Sequence, residues 1–252
     1  MALLEIKNLN ACYEDGQVLN DINLELKQGE ILCVVGESGS GKSSLTRAIT
    51  GYSGLEITGG SIEFCGRDLI GISDKERAAL MGREIGLIPQ NPAGSFNPIR
   101  PFSKQLKELL LSHGYSMDVE RIAAAFTVVG LDDYKRIFKA RPYEMSGGMN
   151  QRIAIAAALI LSPKLIICDE ATSALDVTTA QMVIDELMDI RSKFNTSILI
   201  ITHNLGIAKH MADRIVIMHN GQIVEAGAVD SIIENPKHEY TKKLIGSAPR
   251  MD

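Results

Sequence analysis

Gly36-Glu37-Ser38-Gly39-Ser40-Gly41-Lys42-Ser43 fits the pattern G-x-x-x-x-G-K-[ST] and lies between an unbroken apolar run at 31–35 and a helical run at 44–50. Glycines let such a loop turn its amide N–H groups inward as an anion nest, and the following helix aims its positive end at the same spot. The chemistry on offer is triphosphate binding. Lys42 would bridge the β- and γ-phosphates, Ser43 Oγ would ligate Mg2+, and Ser44 completes the phosphate-binding stretch. A flexible Gly-Ser loop is the competing reading, and the strand-loop-helix setting speaks against it.

A second group stands at Leu165-Ile166-Ile167-Cys168-Asp169-Glu170. Four apolar residues deliver a carboxylate pair to the end of a buried strand. Asp169 is the candidate for the Mg2+ shell, as the usual partner of a phosphate loop. Glu170 would position the attacking water and take its proton. A solvent-facing Asp-Glu at a strand end is the plainer reading, and it loses weight beside an intact phosphate loop. ATP and Mg2+ are the cofactors implied.

Positioning these residues requires an α/β fold. Short β-branched runs alternate with longer helical patterns, which predicts a mainly parallel central sheet. Strands are expected at 3–9, 18–26, 31–35, 84–88, 164–168 and 197–202, and helices at 147–161 and 177–193. Residues 60–64 and the Cys65-Gly66 turn predict a hairpin of a small antiparallel lobe, and Asn220-Gly221 predicts another between 214–218 and 223–225. From 91 to 145 the pattern is helical, opened by Pro92, Pro98 and Pro101. There Leu106, Leu109 and Leu110 share one helical face, as do Ile122, Ala125 and Phe126. The whole chain, 1–252, is expected to be one domain, with a helical subdomain inserted over approximately 91–161.

The bulk properties narrow the field. A chain of 252 residues suffices for one such domain. A net charge of −5 and no Lys/Arg-rich run weigh against a nucleic-acid partner. The four cysteines, Cys12, Cys33, Cys65 and Cys168, form no CxxC pair, and three in apolar strand-like surroundings are expected to be buried thiols. The start, MALLEIKNLN, lacks the basic opening and apolar core of a signal peptide. The apolar stretch 153–161 falls short of the about 20 residues a membrane helix needs. No transmembrane segment is expected.

Upstream of the carboxylates stands Met145-Ser146-Gly147-Gly148-Met149-Asn150-Gln151-Arg152. Here the chain resembles the ATPases of ABC transporters, whose signature is written LSGGQ. The resemblance covers essentially the whole chain, with motifs in family order: Tyr13, the phosphate loop, Gln90, the signature, Asp169-Glu170, Ser173-Ala174-Leu175-Asp176 and His203. It implies the ABC ATPase variety of the P-loop NTPase fold. Ser146 would cap a helix beginning at Gly147 and Gly148, leaving N–H groups approachable to the γ-phosphate on another subunit. Tyr13 would stack on adenine, or else be a half-exposed strand aromatic. Gln90 would reach Mg2+ and water, partly through water, and sense the membrane subunit. Asp176 would line a head-to-tail dimer interface, and His203 would steady the γ-phosphate and water. Met145 and Met149 replace the common Leu and Gln, and Ala171 replaces the usual Pro; no catalytic group is lost.

Gln90-Asn91-Pro92, Phe96-Asn97-Pro98, the signature stretch and the tail at 235–249 resemble the peptide and nickel importer branch. Arg141-Pro142-Tyr143-Glu144-Met145-Ser146 and the short tail look closest to the first ATPase of nickel importers, so nickel or a metal chelate is placed ahead of a dipeptide or oligopeptide. A non-transport ABC ATPase acting on nucleic acid or ribosomes is the reading from a different class. The implied partners are a second ATPase subunit, two permeases and, indirectly, an extracytoplasmic solute-binding protein. The implied place is the cytoplasmic face of the inner membrane, held peripherally.

Overall fold

The computed structural model describes residues 2–51, 54–171 and 177–247. The chain divides into two compact units, Met1–Ala78 with Ser197–Asp252, and Ala79–Thr196.

The first unit carries an antiparallel sheet and a mainly parallel one. Strand β1 (Ala2–Tyr13) pairs with β2 (Gly16–Lys27) on one side and β4 (Glu56–Phe64) on the other, and β5 (Arg67–Asp68) closes the row. In β2 the buried Leu19, Ile22, Leu24 and Leu26 fall near period two, as a sheet with one wet face requires. The turn between β4 and β5 uses Cys65 and Gly66, both at positive φ, as the sequence pattern predicts.

Strand β3 (Ile31–Val35) lies between β8 (Ser197–Thr202) and β9 (Arg214–His219), parallel to both. All five β3 residues are buried, which is why the run shows no alternation. Strand β10 (Gln222–Ala228) returns antiparallel along β9. Its turn has Asn220 at φ 48° and Gly221 at φ 74°, and a Cβ on Gly221 would sit 2.6 Å from the Val18 carbonyl oxygen. Only glycine fits there. Helices α1 (Lys42–Thr50), α8 (Leu205–Met211), α9 (Val229–Glu234) and α10 (Glu239–Ser247) complete this unit.

Helix α2 (Asp74–Leu80) leads into the second unit. There β6 (Ile85–Ile88) and β7 (Leu165–Asp169) run parallel in the register Ile85↔Leu165 to Ile88↔Cys168. Glu84 and Lys164, expected inside these strands, lie just before them. Between the strands come α3 (Phe102–Ser112), α4 (Val119–Val128), α5 (Tyr134–Lys139) and α6 (Gly147–Leu159), with α7 (Val177–Phe194) after β7. The helical stretch expected from 91 to 145 is broken because Gly114 and Gly130 turn at positive φ and Asp118 and Asp133 cap the next helices. Leu106 and Leu110 are buried, as are Ile122, Ala125 and Phe126, whereas Leu109 is only half-buried.

Two cysteines are buried where three were expected. Cys33 and Cys168 are buried, but Cys12 is half-buried and Cys65 is exposed in its turn. Burial, helped by the neighbouring Asp169 charge, pushes the Cys168 thiol up to about 12, so it stays a protonated core residue.

Candidate functional site

In the first unit the phosphate loop leaves the end of β3 and enters α1. A Cβ on Gly36 would fall 2.3 Å from the Met218 carbonyl oxygen, so the loop packs on β9 as closely as backbone allows. Lys42 is 4% exposed, and its ammonium donates to the Gly36 carbonyl at 2.8 Å, the Glu37 carbonyl at 2.7 Å and Ser40 Oγ at 3.4 Å. These dipoles help hold the buried cation in place. Gly41 caps α1 without a side-chain acceptor, so the first-turn N–H groups meet no capping oxygen from that residue. The turn before β10 supports the loop: Gly221 N–H donates to the Ser40 carbonyl at 3.0 Å. Ser38, Gly39 and Ser43 are exposed, and Ser44 is half-buried.

Tyr13 ends β1, half-buried. Its hydroxyl accepts from Arg47 Nη1 at 2.8 Å, and the Arg47 guanidinium carbon lies 5.9 Å from the ring centroid. The candidate adenine platform is therefore tied to α1, the helix that starts at Lys42. His203 is exposed one residue past β8, where Thr202 Oγ1 accepts the Asn204 N–H at 3.0 Å.

In the second unit Asp169 is the last residue of β7. Glu170 follows in the left-handed region, at φ 49°, a costly conformation for a residue with a Cβ and one that concentrates at functional sites. Gln90 Nε2 donates to Glu170 Oε2 at 3.0 Å. The register explains the meeting: Ile88 faces Cys168, and Gln90 and Glu170 each stand two residues beyond that pair. Asp169 and Glu170 are half-buried, poised between strand end and solvent.

Ser146 caps α6, its Oγ accepting the Met149 N–H at 3.2 Å. Among the described residues a Cβ on Gly147 would meet no atom within 4 Å, so packing against them does not explain that glycine. Asn150 and Gln151, adjacent in the signature, secure the helix from within. Asn150 Nδ2 donates to the Pro142 carbonyl at 3.0 Å, and Gln151, 1% exposed, donates to the Ala171 carbonyl at 2.7 Å. The signature helix is thus fastened to the turn that carries Glu170. Ala171, where the family pattern has Pro, is buried and supplies that carbonyl. Asp176 lies outside the described residues.

Arg152 extends from the same helix, its Nε 3.0 Å from Glu186 Oε1 on α7. Burial pushes the Glu186 carboxyl up to about 7, only partly opposed by the Arg152 charge. The folded chain holds that proton more tightly than the unfolded chain, so the stabilisation is complete below about 4.5 and is lost as pH rises through about 7. Glu186→Gln should therefore flatten the decline of melting temperature across that window. A variant as steep as the wild type would contradict this.

Sequence reasoning missed Arg47, the fastening role of Gln151 and the support from β10's turn. Only the Asn-Gly pair carried a signal, and it signals a hairpin rather than what the hairpin supports.

A glycine loop holding a buried lysine at one strand end, and an Asp-Glu pair at the end of another, define a P-loop NTPase. The chain belongs to the ABC transporter family, whose model matches residues 19–173. A second model, the C-terminal region of oligopeptide/dipeptide transporters, matches residues 224–252. The oligopeptide transport ATP-binding protein OppD of Bacillus subtilis is 40% identical, over 99% of this chain and 73% of its own length. The metal-staphylopine import system ATP-binding protein CntD of Staphylococcus aureus is 38% identical, over 100% of this chain and 95% of its own. Among solved structures, a dimeric post-hydrolysis state of the ATP-binding cassette MJ0796 bound to ADP and Pi superposes with a TM-score of 0.79 at 25% identity, covering 90% of this chain and 98% of that one. The chain is an ATP-hydrolysing subunit of a multi-component ABC importer, and its hydrolysis is coupled to transport. Among the described residues no helix is long and apolar enough to cross a membrane.

Proposed function

We propose that the importer served by this chain carries oligopeptides or dipeptides. The observation that carries this reading is the match of 224–252 to the C-terminal region of oligopeptide/dipeptide transporters, joined by the 40% identity to an oligopeptide ATPase. A metal chelate is the second reading, favoured by the 38% identity to the metal-staphylopine ATPase. None of these matches names nickel, so the nickel expectation has no specific support from them. The family match likewise favours transport over work on nucleic acid or ribosomes.

In this reading the chain sits peripherally at the cytoplasmic face of the inner membrane, with a second ATPase, two permeases and an extracytoplasmic solute-binding protein. Lys42 and the amides of Gly36 to Ser43 hold the triphosphate, and Tyr13 stacks on adenine. The Ser43 hydroxyl, the Asp169 carboxylate and the Gln90 amide oxygen, partly through water, are the hard oxygen donors that Mg2+ prefers. Bound there, Mg2+ would neutralise charge on the phosphates. Glu170 orients the water and takes its proton, with Gln90 holding the carboxylate. His203 steadies the γ-phosphate. Ser146, Gly147 and Gly148 face the nucleotide of a second subunit, and Asp176 lines that interface. The helical subdomain over approximately 91–161 relays closure to the permeases.

The solute is decided by loading. With the complete transporter in vesicles, its binding protein charged with a short peptide should raise ATP turnover several-fold above the peptide-free rate. Stimulation by a metal chelate, with none by any peptide of two to about eight residues, would reverse the assignment.

A further inference from the structure

Tyr240 stands on α10, 9% exposed, far along the chain from the phosphate loop. Its ring lies on the His219 imidazole, with centroids 3.9 Å apart and planes inclined by 26°. His219 ends β9, next to the turn whose Gly221 N–H holds the Ser40 carbonyl. The entry to α10 is pinned as well. The Glu225 carboxylate accepts the Lys237 N–H at 2.8 Å and the His238 N–H at 3.1 Å, and His238 Nδ1 accepts the Tyr240 N–H at 3.1 Å.

Held this way, the Tyr240 hydroxyl accepts the Glu37 N–H at 3.1 Å. That N–H and the Gly36 carbonyl belong to one planar peptide group, so fixing one fixes the other. The Gly36 carbonyl accepts Lys42 Nζ at 2.8 Å, and the next carbonyl, Glu37's, accepts it at 2.7 Å. We propose that Tyr240 is a positioning residue for ATP binding: its hydroxyl orients the Gly36–Glu37 peptide, which in turn aims the Lys42 ammonium. The inference rests on reading Gly36 to Ser43 as the cradle of the triphosphate. It gives α10, in the region matched to the oligopeptide/dipeptide C-terminal model, a part in nucleotide affinity.

Tyr240→Phe removes the acceptor and keeps the ring on His219. In the full chain, titrated with ATP and Mg2+, it should raise the Kd by about 3- to 10-fold, the equivalent of one lost hydrogen bond. Hydrogen exchange at the Glu37 amide should quicken in the same variant. Leu244→Ala is the contrast, since it loosens the packing of α10 while leaving the hydroxyl in place. It should melt at a lower temperature yet bind ATP with the wild-type Kd. An unchanged Kd in Tyr240→Phe would overturn the inference, as would an equal rise in Leu244→Ala, which would assign the effect to the helix and not the hydroxyl. Lys42→Ala separates the two readings. If it binds ATP as tightly as the wild type, the cradle reading fails and takes this inference with it. If it loses ATP while Tyr240→Phe does not, only the inference fails.

Discussion

Lys42→Ala should weaken ATP binding by about 100-fold or more, since charge-assisted hydrogen bonds contribute about 1.5–3 kcal/mol each. The ammonium is already desolvated at 4% exposure and held by the carbonyls of Gly36 and Glu37. Little reorganisation is left for the moment of binding, so most of the attraction to phosphate appears as affinity. Alanine removes the charge and leaves two carbonyls without this donor, which should also lower the melting temperature of the nucleotide-free chain. Calorimetric titration with ATP checks the first effect and thermal melting the second. A Kd within about threefold of the wild type would show that the triphosphate is held elsewhere.

Glu170→Gln should act at a different step. Loss of a general base costs about 10²- to 10⁴-fold in rate, whereas the amide keeps the shape of the carboxylate and an oxygen for Gln90 Nε2. ATP binding should survive, and the variant should gather as an ATP-bound closed dimer. The two substitutions therefore part cleanly: one loses the nucleotide, the other keeps it unhydrolysed. Turnover above about a tenth of the wild-type rate would remove Glu170 from the role of base.

Much of this site was legible because its residue types are constrained by backbone. Gly36 is the clearest instance, since the carbonyl of Met218 leaves no room for a Cβ. The apolar runs of β3 and β7 and the hairpin at Asn220-Gly221 were legible for the same reason: burial on both faces and positive φ each restrict composition sharply. The short helices α2, α8 and α9 were not, because six or seven residues span less than two full turns and show little periodicity. Helix α10 hid behind a different difficulty. Its Tyr240 works through a contact with Glu37, 203 positions away in the chain, and no local pattern reports such a bond. Gln90 is intermediate: the family order marked it, but its contact with Glu170 becomes intelligible only with the β6–β7 register.

ATP hydrolysed by this chain drives solute inward, and an uptake assay reads that step itself. Vesicles bearing the complete transporter, with solute-binding protein outside and ATP inside, would carry either the wild-type chain or Glu170→Gln. The wild type should accumulate peptide in an ATP-dependent way, and the variant should show none above the ATP-free background although it holds ATP. Accumulation by the variant at the wild-type rate would contradict hydrolysis-driven import.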